Sequence, residues 1–240
     1  MKKVIYWAPA ISNIATKKAV INSAFALTKF SNNYKVTLLN VSGEFNNLKL
    51  SNNNISVFNL NQKIINLKLR GEGYFRTRFS LILIFLKSFL PLINFIKKEE
   101  ADYIIVHMLT SLPLLVFLFL NTKTKCILRI SGLPKLNLLR YLFWKLCSKK
   151  IYKVTCPTEL TKKHLEKYNI FQNSKLITLY DPIFSAADTI RRHNNIKNDN
   201  KFLLSAGRLT RQKNFSFLNL CSISLENALP SLPFIPLLIL

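Results

Sequence analysis

Acidic residues are scarce in this sequence: 11 Asp and Glu stand against 35 Lys and Arg, a net charge of +24 over 240 residues. A chain so basic does not suit a cationic partner; it suits an anionic one, whether nucleic acid, an anionic membrane surface or a phosphorylated substrate. Lys, Asn and Ile dominate their classes, as AT-rich coding would produce, but that bias leaves the shortage of Asp and Glu unexplained. Glycine is equally thin, at five residues. No G-x-G-x-x-G follows the first apolar run, which excludes the fingerprint of a dinucleotide oxidoreductase. The four cysteines (Cys126, Cys147, Cys156, Cys221) form no C-x-x-C pair and lack zinc-site spacing. They read as buried small hydrophobes in a reducing compartment. Long apolar runs are missing too. "LILIFLKSFLPLINFI" (81–96) is interrupted by Lys87 and Pro91, and "LPLLVFLFL" (112–120) is short. Neither reaches the roughly 18–20 uninterrupted residues of a spanning helix. The apolar run opening "MKKVIYWAPA" is too short for a signal peptide. A cytoplasmic protein is expected, with peripheral contact at the inner face of the plasma membrane left open.

What is present is a core. Hydrophobic residues make up 49% of the chain and aromatics 12%, enough to exclude global disorder and to build one large α/β domain, or one domain and part of another. Short β-rich runs alternate with helical spacing. Strands are expected at 3–8, 34–41, 55–60, 102–107, 125–131, 152–157 and 175–180, and helices at 16–30, 74–98, 111–121, 136–149 and from Thr158, as N-cap, to about 169. This alternation predicts βαβ units, hence an α/β, doubly wound, mostly parallel Rossmann-like sheet. Such sheets bind ligands beyond the carboxyl ends of their strands, which directs attention to the loops after residues 8, 107, 131 and 157. Residues 181–200 lose the apolar pattern and read as a linker, after which "KFLLSAG" begins a new strand. From Asn214 to Leu240 there is no Lys or Arg, where the rate of the preceding chain predicts about four.

The constellation with the most chemistry is "SAGRLTRQKNF" (205–215). A strand ends at Gly207, Arg208 occupies the tip, and Lys213 falls just before a helix that Asn214 can cap. An Arg, a Lys and a helix N-terminus on one loop make an anion site, against the alternative of a solvated basic turn. The segment "SAGRLTRQKNFSFL" resembles the opening of the donor domain in the group 1 (family 4) glycosyltransferases, retaining enzymes of the GT-B fold with two Rossmann-like domains. The resemblance implies that Arg208 and Lys213 bind the diphosphate of a nucleotide-sugar co-substrate and stabilise the charge that builds as it leaves. It implies no separate cofactor and no metal, in keeping with the lack of a D-x-D motif. "ADYIIVHMLTSLP" resembles the family strand that ends in a histidine near the transferred sugar, which gives His107 the catalytic position; a helix-capping or core histidine is the alternative. "LRISGLPKL" sits at the family's acceptor-loop turn, with Ser131 and Gly132, and "LYDPIF" places Asp181 and Pro182 at the hinge.

Two features depart from the family pattern. The loop after the first strand, "APAISNIATKK", carries no glycine, so Lys17, Lys18 or the N-terminus of the following helix would have to stand in as donor or acceptor contacts. The glutamate-bearing motif of the donor domain is missing, Glu226 being the one acidic residue of the tail. The expected organisation is therefore an acceptor-side Rossmann-like domain over 1–180, a linker over 181–200, the first strand and helix start of the donor domain over 201–218, and an aberrant or disordered tail over 219–240. The resemblance implies a truncated sugar transferase, inactive as it stands, working on a saccharide or lipid-linked acceptor in surface polysaccharide synthesis. A frameshift near Leu218 or a second subunit would each account for the missing half. A non-catalytic basic module for anionic membrane or nucleic acid is the competing reading, weakened because Lys is dispersed and no nucleic-acid motif appears. For the apolar helices around 75–96 and 112–120, core packing is favoured over membrane contact.

Overall fold

The structure is a computed structural model that describes residues 1–11, 15–48, 50, 52–67 and 74–182, together with two short strands at 203–205 and 237–239. The chain separates into two compact units, Met1–Ser185 and Ala186–Leu240. In the first, strands and helices alternate: β1 (Lys2–Trp7), α1 (Ala15–Phe30), β2 (Tyr34–Asn40), β3 (Ile55–Asn59), α2 (Gln62–Asn66), α3 (Tyr74–Glu99), β4 (Tyr103–Val106), α4 (Ser111–Phe119), β5 (Lys125–Arg129), α5 (Leu138–Cys147), β6 (Ile151–Cys156), α6 (Glu159–Lys167) and β7 (Leu176–Thr178). The sheet order is β3-β2-β1-β4-β5-β6-β7, and every pairing is parallel. The Rossmann-like α/β expectation is met, with no antiparallel strand in this sheet. In the second unit, β8 (Leu203–Ser205) pairs in parallel with β9 (Leu237–Ile239).

Strand alternation assigns the core. Ile5 and Trp7 of β1 face a large cluster that also takes in Leu92, Ile104, Leu128 and Val154, and the buried sides of α2 to α6 close it. Val4 and Tyr6 point to the opposite face, where α1 covers a smaller cluster through Val20 and Ala24. Residues i and i+2 share a face, so one strand feeds both layers. The helices begin where side chains can satisfy their free amides. Asn137 caps α5 by accepting from Arg140 N at 2.9 Å, and Thr158 caps α6 by accepting from Thr161 N at 3.1 Å. Asn169, with φ of 49°, turns the chain out of α6, a left-handed position that Asn tolerates better than most residues.

The differences from the sequence expectation are local. The five-residue α2 has no periodicity long enough to read, and depends on the Asn61 cap. The expected strand 125–131 ends as a strand at Arg129, although Ile130 N still donates to Thr155 O at 2.9 Å. The three described cysteines are free and buried, and burial pushes the Cys126 thiol up to about 12. These are packing residues, not nucleophiles.

The apolar helices divide. α4 is core, with Leu112, Leu114, Val116 and Phe117 buried. α3 buries one side through Ile84, Ser88, Leu92 and Ile96 but leaves Phe75, Phe79, Ile82, Leu86 and Leu90 at the surface. By length and composition α3 is also apolar enough to cross a membrane, yet a third of that stretch is buried against the sheet.

Candidate functional site

The order of the sheet reverses between β1 and β4, and in open parallel sheets the crevice at such a point is where ligands bind. Here β4 runs out at Val106 and the chain turns. His107 N donates to Trp7 O at 2.9 Å, and Trp7 Nε1 donates to Met108 O at 2.8 Å. The turn is thus pinned to β1 from both sides. Leu109 adopts a left-handed φ of 44°, an unfavourable conformation for a bulky side chain that surrounding structure must hold in place. Thr110 and Ser111 then open α4.

Around this turn lies a cleft of about 700 Å³, walled by Thr16 at the start of α1, by His107 and Ser111, and by Arg129, Ser131 and Gly132 at the end of β5. Arg78 of α3 and Arg140 of α5 complete it, and no carboxylate is among its described lining residues. Three guanidiniums, hydroxyls and the positive end of α4 make a wall suited to anionic and hydroxylated ligands. A second hollow of about 560 Å³ lies at the opposite end of the strands, around Ala101, Asp102 and Lys123. It sits at the amino ends of β4 and β5, away from the switch point, so the first cleft is the better candidate.

His107 is 8% exposed. Its ring stacks on Tyr6 with centroids 5.9 Å apart and planes 29° from parallel. Burial, reinforced by the Arg129 charge, lowers its pKa to about 3. At neutral pH it is an uncharged imidazole, able to donate one hydrogen bond and accept another, but a poor proton acceptor. Among the described residues no side chain or carbonyl occupies either ring nitrogen, which leaves both for a ligand. Arg129 is itself buried, and its guanidinium pairs with the Asp181 carboxylate and donates to Leu179 O. Asp181, at the hinge in the sequence reading, is therefore fastened to the wall of the cleft.

The structure brings three expected site residues together: His107, Ser131 and Gly132. Gly132 has open space where a Cβ would go, so close packing does not require a glycine there. Lys17 lies half-buried in the first turn of α1 and does not line the cleft, whereas its neighbour Thr16 does. Arg208 and Lys213 fall outside the described residues. The sequence reading missed Arg129, Arg78 and Arg140. For Arg129 a signal existed, since a lone cation near the end of the apolar strand "KCILR" must face a partner or a ligand. Nothing in sequence marked the other two, because helix-borne arginines are ordinary on a solvated face.

No family model matches the chain, and no curated protein matches it. Solved structures do. A glycosyltransferase from Rickettsia africae superimposes with a TM-score of 0.58 at 13% identity, covering 99% of this chain and 68% of that one. Anabaena HepE, solved in complex with UDP and glucose, gives 0.56 at 12% identity, with 100% and 60% covered. The UDP-GlcNAc 2-epimerase of Neisseria meningitidis, solved bound to UDP-GlcNAc, gives 0.51 at 15%, with 100% and 65% covered. The chain thus spans 60–68% of the length of these proteins. At such identities the likeness establishes the fold: a Rossmann-like α/β sheet of the kind found in glycosyltransferases and UDP-sugar epimerases.

Proposed function

We propose that the first unit is the acceptor-side half of a GT-B enzyme that uses a nucleotide-sugar, and specifically of a retaining glycosyltransferase. The observation that carries this reading is the switch-point cleft, in which a neutral His107 stands among hydroxyls and three arginines, one of them, Arg129, paired with the Asp181 carboxylate at the wall. His107 would hydrogen-bond a hydroxyl of the transferred sugar. Arg208 and Lys213 would hold the leaving diphosphate, where fixed cations stabilise the charge that grows as the glycosidic bond breaks. Ser131 and Gly132 would border the acceptor.

Transfer is favoured over epimerisation on chemical grounds. Inverting a C–H centre requires a base to take a proton from carbon. Among the described residues the carboxylate at the cleft wall, Asp181, is held by Arg129, and burial lowers the basicity of His107. The acceptor in this reading is a saccharide or a lipid-linked glycan, met at the inner face of the plasma membrane during surface polysaccharide synthesis.

The test is titration of UDP-glucose and UDP-N-acetylglucosamine against the chain, with duplex DNA as comparison. Binding of either sugar nucleotide, weakened more than tenfold by Arg208→Ala or Lys213→Ala, supports the reading. Tight, steeply salt-dependent DNA binding with no response to any nucleotide-sugar would replace it with a basic nucleic-acid module.

A further inference from the structure

We propose that the outer faces of α3 and α5 form a membrane-docking surface that seats the first unit on an anionic lipid bilayer beside the cleft. On α3, Phe75, Phe79, Ile82, Leu86 and Leu90 recur at three- and four-residue spacing, and each is 57–85% exposed. Side chains so spaced lie on one face of a helix. On α5, Leu138, Leu139, Leu142 and Leu146 do the same, at 54–78% exposed. Both helices bury their other sides in the same core cluster, so both stripes belong to the outside of a single helix layer. A monomeric soluble protein rarely shows two apolar stripes of this kind, one on either side of α4, without a partner.

Charge selects the occupant. The 26 residues of α3 include five cations (Arg76, Arg78, Lys87, Lys97 and Lys98) and a single acid, Glu99 at its last position. Placed at 100° per residue, Arg78 flanks the apolar stripe on one side, Arg76 and Lys87 flank it on the other, and Lys97 continues it. An apolar stripe bordered by cations suits the interface of an anionic bilayer, with side chains among the acyl chains and cations among the headgroups. A second copy of this chain fits poorly, because apposing two such faces brings like charges together on molecules of net charge +24. A spanning α3 also fits poorly, because Ile84, Leu92 and Ile96 would have to leave the sheet they cover.

The surface runs into the cleft. Arg78 from the first turns of α3, and Leu133, Leu139 and Arg140 from around the start of α5, line its wall. Leu133 and Leu139 are 57% and 78% exposed, so the rim is apolar on the side where the stripes begin. A bilayer resting there would present the headgroup end of an amphiphilic acceptor to His107. That last point rests on the glycosyltransferase reading; the docking surface does not.

The experiment is co-sedimentation of the full chain with phosphatidylcholine vesicles and with vesicles containing about 40% phosphatidylglycerol, alongside size-exclusion chromatography. Binding to the anionic vesicles is expected, with at least a tenfold loss in Phe79→Gln/Leu86→Gln, and a similar loss in Leu139→Gln/Leu142→Gln. Unchanged circular dichroism would show that these exposed substitutions leave the fold intact. Lys87→Glu/Lys97→Glu should weaken binding and flatten its salt dependence. Absence of vesicle binding, equal binding by the stripe variants, or a dimer that the stripe variants convert to monomer would each overturn the proposal. Nucleotide-sugar binding is measured separately, so failure of docking and failure of the enzymatic reading are distinguishable.

Discussion

At His107, burial and a neighbouring cation act in the same direction: both oppose protonation, and together they lower the pKa from 6.5 to about 3. The unfolded chain takes up a proton on this imidazole below pH 6.5 and the folded chain does not, so stability present above that pH is lost as the pH falls toward about 3. Replacing His107 by Gln should shrink this loss, measured as a flatter dependence of denaturation midpoint on pH between 6.5 and 4; an unchanged slope would mean that the imidazole is not buried as described. Arg129 raises the complementary case. Its guanidinium is buried and its carboxylate partner Asp181 is 29% exposed, so Asp181→Asn strands a desolvated cation. The expected cost is about 3 kcal/mol, the low end for breaking a buried pair because water still reaches the carboxylate, read as a lower urea midpoint. His107 was legible in the sequence because it closes an apolar strand. The role of Asp181 was not, because a pairing 52 residues apart leaves no local pattern.

At the scale of elements, the helices show what local sequence can and cannot decide. The Thr158 cap was readable from a threonine set before a helical run, and the bond to Thr161 N bears it out. Thr158→Ala should destabilise the fold by about 1 kcal/mol in chemical denaturation. α3 was readable in extent, but not in which of its sides would be covered. Within its buried side, Ser88 has no exposed surface, and among the described residues its hydroxyl has no hydrogen-bond partner. A buried hydroxyl without a partner is unfavourable, so Ser88→Ala should leave stability unchanged or raise it by about 1 kcal/mol. A clear loss of thermal stability in that variant would mean that the hydroxyl has a partner after all.

At the scale of the molecule, charge opposes compactness. With 35 cations and 11 acids, self-repulsion in the folded chain exceeds what an unfolded, more extended chain feels. Salt shortens the reach of that repulsion, the Debye length falling from about 30 Å at 0.01 M to about 10 Å at 0.1 M. The thermal midpoint should therefore rise on going from about 0.02 M to about 0.2 M sodium chloride, by differential scanning fluorimetry. A midpoint that falls with salt would show that attractive pairs outweigh the excess. The large core beneath α2 to α6 resists this repulsion, and its loss is correspondingly costly: Leu128, fully buried on the interior strand β5, should cost about 2–5 kcal/mol when cut to Ala.

The alternation of short apolar strands with helical runs determined the fold class and the approximate bounds of most elements, because period-2 and period-3.6 burial are written into neighbouring residues. It also placed His107 and the Ser131–Gly132 turn at the carboxyl ends of strands, where a parallel sheet binds its ligands. The cleft itself was decided by tertiary structure, since Arg78, Arg129 and Arg140 come from three elements whose proximity depends on sheet order. Sheet order likewise decided which side of α3 would be covered and which would face solvent. Composition already marks α4, apolar all round and without a charged residue, for burial. For the amphipathic α3 it does not say which neighbours will cover the apolar side and which part will lie along a boundary. That depends on the whole set of contacts around them.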